Sequence, residues 1–194
     1  MRRKSLQAAA VAIAVLTGLA AACSSSPPIR FYTLSDTAPE GAPPADVGLV
    51  GIAGVNIPGE LDRSEIVRRT NPNRLSVSGL DRWAAPLDEM IRRVLSDNIA
   101  RRLHNPTSGP QRLVAVDIHE FYGDAACNVT LRSVWTPRAA GTAAPESFTE
   151  EIQVPSSGAC PDTLAATMST ALGQLSDRIL AGLARLPPAT AATK

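Results

Sequence analysis

Residues 61–103, LDRSEIVRRTNPNRLSVSGLDRWAAPLDEMIRRVLSDNIARRL, decide the fold. Residues Glu65 to Thr70 and Arg74 to Ser78 alternate apolar and polar side chains, which predicts two half-buried strands. Asn71-Pro72-Asn73 between them is turn chemistry, because proline presets one φ and asparagine tolerates positive φ. The pair therefore reads as a hairpin. Trp83 then leads into a helix with Pro86 in its first turn, where a missing N–H removes no helical bond. Leu87, Met90, Ile91, Val94, Leu95, Ile99 and Leu103 recur at helical spacing. Asp88, Glu89, Arg92, Arg93, Asp97, Arg101 and Arg102 fill the other side. One face is core and the other is solvent.

Upstream, residues 31–34 (FYTL) form a short strand candidate, and residues 47–57 (VGLVGIAGVNI) a longer one ended by Pro58-Gly59. Gly48, Gly51 and Gly54 open no helix and no Lys-Ser/Thr follows, so they read as close packing or a bulge and not as a phosphate loop. Downstream, residues 112–122 (RLVAVDIHEFY) alternate. Leu113, Ala115, Asp117 and His119 point one way; Val114, Val116, Ile118 and Glu120 point the other. Residues 126–135 alternate too, with Val129, Leu131 and Ser133 opposite Thr130, Arg132 and Val134, and Gly123-Asp124 fits a hairpin between the two. A further strand spans 148–154. Residues 161–186 carry Leu164, Met168, Ala171, Leu172, Leu175, Ile179, Leu180 and Leu183 on one helical face, and Pro187-Pro188 stops the helix. The order is β-β-β-β-α-β-β-β-α. That pattern predicts a single α+β domain: an antiparallel or mixed sheet of about six or seven strands with two amphipathic helices packed on it.

The N-terminus reads as an address. Met1 to Lys4 is a positive region, residues 6–22 are apolar and uncharged, and Leu19-Ala-Ala-Ala-Cys23 is followed by a Ser/Pro stretch. This is the layout of a secretory signal peptide and not of a folded element. A cysteine directly after small residues resembles a bacterial lipobox. That resemblance implies cleavage before Cys23, acylation of its thiol and of the new N-terminus, and, with Ser24 next, sorting to an outer membrane. Residues 1–22 are then the signal peptide, 23–30 a lipidated tether, 31–188 the domain and 189–194 a tail. Several acyl chains make a stable anchor where one is marginal.

Composition excludes several classes. With 19 basic and 18 acidic residues the net charge is +1, and no basic strip interleaved with aromatics points to nucleic acid. Aromatics are 4% of residues, so the core is aliphatic. With Cys23 assigned to the anchor, Cys127 and Cys160 remain as a pair in an oxidising compartment. A bridge would close a loop of roughly 34 residues, worth about 3–4 kcal/mol; the other reading is two independent buried thiols. Two cysteines without a nearby histidine supply too few ligands for a metal. No catalytic constellation stands out. His104 suits a helix C-terminus, His119 sits in a strand, Ser133 is strand-bound with no nucleophile elbow, and Asp117, Glu120 and Asp124 read as the wet side of a hairpin. Arg63, Arg68, Arg69 and Arg74 on the hairpin form a candidate docking surface for lipid phosphates or an acidic partner. No cofactor is expected.

Cys23, Phe31-Tyr-Thr-Leu34, Val55-Asn-Ile-Pro-Gly-Glu-Leu-Asp-Arg63, Ile66-Val-Arg-Arg69, Asn73-Arg-Leu75, Asp81-Arg-Trp-Ala-Ala-Pro-Leu87, Arg93-Val-Leu95 and Asn98-Ile-Ala-Arg-Arg-Leu103 together carry a family pattern. The chain resembles the ABC-type transport auxiliary lipoproteins, the family of paraquat-inducible protein C, across essentially the whole mature chain. The resemblance implies a non-enzymatic outer-membrane lipoprotein, facing the periplasm, that supports membrane integrity. It implies that the lipoprotein docks as a homo-oligomeric ring on a periplasmic MCE-domain (mammalian cell entry) protein of an inner-membrane ABC-type lipid transporter. It supplies no catalytic residues, only Cys23. The alternative is a stand-alone envelope lipoprotein that acts as a structural or wall-associated scaffold.

Overall fold

The computed structural model describes residues 26–37, 47–103, 111–138 and 146–187. Seven strands and two helices follow in the expected order: β1 (Arg30–Tyr32), β2 (Leu49–Asn56), β3 (Glu65–Asn71), β4 (Arg74–Trp83), α1 (Leu87–Arg102), β5 (Gln111–Gly123), β6 (Val129–Arg138), β7 (Phe148–Val154) and α2 (Leu164–Arg185). The strands form one open mixed sheet in the order β1-β4-β3-β5-β6-β7. The long strand β5 shares one edge between two neighbours. β2 runs parallel to its first half, and β3 meets its last residue through the single pairing Arg68↔Gly123. β6 pairs antiparallel along the other edge, and β7 continues outward.

Both helices lie on one face. α1 packs on β2 and α2; α2 packs on β5, β6 and β7. The expected helical faces are the ones buried: Leu87, Met90, Ile91, Val94, Leu95 and Ile99 on α1, and all eight expected residues on α2. Leu103 is half-buried. Asp88 and Glu89 open α1 and Arg101 and Arg102 close it, the arrangement that suits the helix dipole. Arg102 also pairs with Asp177 on α2.

Small residues let α2 approach its neighbours closely. A Cβ at Gly173 would come within 2.7 Å of Thr37 Oγ1. Buried hydroxyls on this helix bond back to carbonyls one turn earlier, as Ser169 does to Ala165 O and Ser176 to Leu172 O. The segment after β1 is laid across both helices. Leu34 is buried, Thr37 N–H donates to Asn98 Oδ1 (3.0 Å), and Ser35 N–H donates to Ser169 Oγ (3.1 Å). Arg112 is buried as well. Its guanidinium donates to Leu183 O, in the last turn of α2, and to Pro187 O just beyond it.

One expected alternation is corrected. In β5 the register slips between Ile118 and Glu120, so His119 is a bulge residue. Past it the parity reverses. Glu120 pairs with Arg132 on the helix-free face, and Phe121 pairs with Leu131 in the core. A second bulge, at Ala53 in β2, accompanies Gly54.

β1 is fixed to β4 by a buried carboxylate. Asp81, 6% exposed, accepts from Arg30 Nε (2.7 Å) and from the Ser78 hydroxyl (2.8 Å). Burial alone would raise its pKa; the Ser78 and Arg30 bonds outweigh it, and the carboxyl sits below its ordinary value. A depressed folded pKa means stability present above the unfolded pKa of about 4 and lost as pH falls through the folded one. Asp81→Asn is therefore expected to lower stability at pH 7 by about 1–2 kcal/mol. The gap to the native chain should narrow at pH 3. Urea unfolding at the two pH values reads both, and an equal gap at both would refute the assignment.

Candidate docking surface on the helix-free face

Strand parity places Arg69, Glu120, Tyr122 and Arg132 together on the face away from the helices. Glu120 takes Arg69 Nη1 at 3.3 Å on one oxygen and Arg132 Nη1 at 3.1 Å on the other. The Arg69 guanidinium also lies over the Tyr122 ring, 4.6 Å from its centroid. The Tyr122 hydroxyl donates to Glu60 Oε1 at 2.8 Å. Burial first, and then this bond to a carboxylate, push the phenol up to about 12. It stays protonated at neutral pH and serves as a donor, not a base. The Glu60 carboxyl is held below its ordinary value by its own backbone amide and then by Tyr122. Arg69, Glu120 and Tyr122 line a groove of about 310 Å³ with the turn residues Asn71 and Pro72. Its charges are already paired with one another, so it presents a compensated polar surface and no activated nucleophile.

The four hairpin arginines do not share one face. Arg63 pairs with Glu65 at 3.2 Å. Arg68 and Arg69 are adjacent, so they point to opposite sides. Arg69 joins the network above. Arg68 turns the other way and donates from Nη1 to Cys160 Sγ at 3.4 Å. Arg74 stands exposed at the hairpin tip. Asp81, close to these arginines along the chain, serves Arg30 instead.

Cys127 and Cys160 form a disulfide with Cα atoms 5.5 Å apart. It ties the β5–β6 turn to the lead-in of α2. Cys23 and His104 lie outside the described residues. The residues weighed for catalysis are dispersed. Ser133 is buried toward the helices, 1% exposed, while His119 is exposed at the bulge. Asp117 accepts from Asn56 Nδ2 (2.6 Å), and Asp124 accepts from the backbone N–H groups of Ala126 and Asn128 to shape the turn. Among the described residues no three of His, Cys, Asp and Glu gather as a cation site, and no helix is long and apolar enough to cross a membrane.

Sequence reasoning missed Tyr122 and Glu60. Their partnership spans the turn after β2 and the end of β5, and its only local trace is a tyrosine where the strand's alternation breaks down.

No curated protein matches the chain in sequence. Two solved structures share its fold. A crystal structure of an uncharacterized protein is similar over 81% of this chain and 99% of its own, with a TM-score of 0.68 at 18% identity. Protein XCC0632 from Xanthomonas campestris, of family DUF330, is similar over 79% of this chain and 93% of its own, with a TM-score of 0.63 at 19% identity. The family model described as "ABC-type transport auxiliary lipoprotein component" matches residues 32–180, from the end of β1 to within the last two turns of α2. The chain belongs to that family of transport auxiliary lipoproteins.

Proposed function

We propose that this protein is a non-catalytic auxiliary subunit of an MCE/ABC-type envelope lipid transporter, lipidated at Cys23 and held on the periplasmic side of the outer membrane. The family match across residues 32–180 carries the reading. The lipobox-like run before Cys23 agrees with it, as does the burial of Ser133 on the helix side of the sheet, away from the exposed His119. In this reading the folded domain assembles as a homo-oligomeric ring on the MCE channel. The hairpin supplies part of the docking surface through Arg63 and Arg74. Arg68 and Arg69 are engaged inside the domain.

The test is co-purification of the full-length lipidated protein from detergent-solubilised envelopes, with mass spectrometry of the eluate. An MCE-domain protein or an ABC permease is expected. Charge reversal by Arg63→Glu with Arg74→Glu should weaken recovery several-fold, and Cys23→Ser should shift the protein from the membrane fraction to the soluble one. A clean eluate after mild cross-linking would overturn the transporter reading in favour of a solitary envelope lipoprotein.

A further inference from the structure

The first residues of the fold, close in sequence to Cys23, carry its most exposed aromatic side chain. Phe31 is 66% exposed and Ile29 is 45% exposed. Phe31 pairs in register with Arg82, which pairs in turn with Glu65, so its ring is on the helix-free side of the sheet, and Ile29 precedes it by two residues, just before β1. β1 is the last strand on its side of the sheet, so this corner is also an edge. Ile29 and Phe31 lie two residues apart, so they form a small exposed apolar patch at this edge and not a single scattered side chain.

We propose that Ile29 and Phe31 seat this corner of the domain on the lipid surface that holds the anchor. The proposal rests on lipidation at Cys23. Phe31 is eight residue steps from Cys23, so even a fully extended tether keeps the ring within about 29 Å of the acylated residue. Pro27 and Pro28 restrict that tether further, because each fixes its own φ. Tethering at such range makes the encounter with the bilayer intramolecular, so a small apolar contact that would not bind membranes alone is populated. A phenyl ring and a branched aliphatic chain are suited to the boundary between headgroups and acyl chains. The consequence is a fixed orientation: the β1 edge faces the membrane, while the opposite edge, β7, faces away.

The experiment uses the full-length lipidated protein carrying Phe31→Trp, reconstituted into phosphatidylethanolamine–phosphatidylglycerol vesicles with or without brominated acyl chains. The native Trp83 and Trp135 are buried, so they provide a constant background. Loss of the added tryptophan emission in brominated vesicles is the expected result. Unquenched emission from protein that still floats with the vesicles would overturn the membrane contact and leave the anchor intact. Protein that neither floats nor carries acyl mass on Cys23 would overturn the anchor and the contact together. Emission that is unquenched by lipid yet blue-shifts with protein density would assign the corner to a second copy of the chain and equally refute the proposal.

Discussion

Trp135→Ala is expected to destabilise the domain by about 3–5 kcal/mol. Against a total stability of about 5–15 kcal/mol this is a large share, and it corresponds to a fall in Tm of roughly 10 °C or more. Trp135 is fully buried and stacks on Phe148 with ring centroids 4.2 Å apart and planes 13° from parallel. It is where β6, β7 and α2 meet. Its Nε1 donates to Glu150 at 3.5 Å, and Glu150 also holds Arg178 of α2 at 3.2 Å. Gly182 lies against its six-membered ring, and a Cβ there would collide with the ring carbons Cζ2 and Cη2. Two opposed effects then decide Gly182→Ala. Helix propensity favours alanine by about 1 kcal/mol; overpacking against a rigid ring costs about 1–3 kcal/mol. The ring has no flexible end to move aside, so the net effect is destabilising. The two substitutions share one space, so the double variant Trp135→Ala/Gly182→Ala should lose less than the sum of the singles. Urea unfolding of the four proteins measures the coupling. Additivity within about 0.5 kcal/mol would show that Gly182 is not there to admit the indole.

The helices are legible in the sequence because aliphatic side chains recur on one side of each and nothing local contradicts them. Leu87 to Ile99 on α1 and Leu164 to Leu183 on α2 are buried as their spacing requires. The hairpin is legible for a similar reason: alternation flanks a turn made of Asn and Pro. What stays hidden depends on partners far away in sequence. Asn98 belongs by position to the apolar stripe of α1, yet it is polar, and its Oδ1 accepts from the backbone N–H of Thr37, 61 positions upstream. Arg112 is a buried cation for which the two carbonyls lie more than 70 positions downstream at the end of α2. The bulge at His119 does leave a mark, since His119 and Glu120 are two polar residues in succession between Ile118 and Phe121, but only the pairing with β6 shows that the register slips there. Grouping Arg68 with Arg69 as one charged surface is a different kind of error. A strand has a period of two, so adjacent residues face opposite sides whatever their chemistry. The docking surface proposed above is accordingly smaller than the charge run suggests, while the contacts of Arg69 and Tyr122 give the domain a polar lock that the charge run does not reveal.

Replacing Cys127 and Cys160 together by serine is expected to lower stability by about 3–4 kcal/mol. The bridge spans 33 positions and encloses β6 and β7. Its removal enlarges the unfolded ensemble far more than it disturbs the native contacts nearby, several of which do not need it. Ser156 N–H donates to Asn128 Oδ1 at 3.0 Å, the Ser156 and Thr163 hydroxyls are 2.8 Å apart, and Asp124 holds its own turn. The native fold should therefore persist with a lower denaturation midpoint. Reductant should shift the native chain by the same amount and leave the double variant unmoved; a native chain indifferent to reductant would refute the role given to the bridge. A local effect should accompany the global one. The hairpin β3–β4 joins β5 at one register position, Arg68↔Gly123, and Arg68 also donates to the sulfur of Cys160. Gly123 is packed against Leu164 at the start of α2, the helix whose lead-in the bridge holds in place. Loosening that lead-in removes support from the hairpin before it reaches the middle of the sheet. Amide exchange in residues 65–71 should then accelerate more than in residues 114–118, where β5 lies between β2 and β6 on both edges. Uniform acceleration would mean that the bridge acts only through the unfolded chain. The graded result would mean that oxidation of two cysteines also sets the rigidity of the hairpin proposed to meet the transporter.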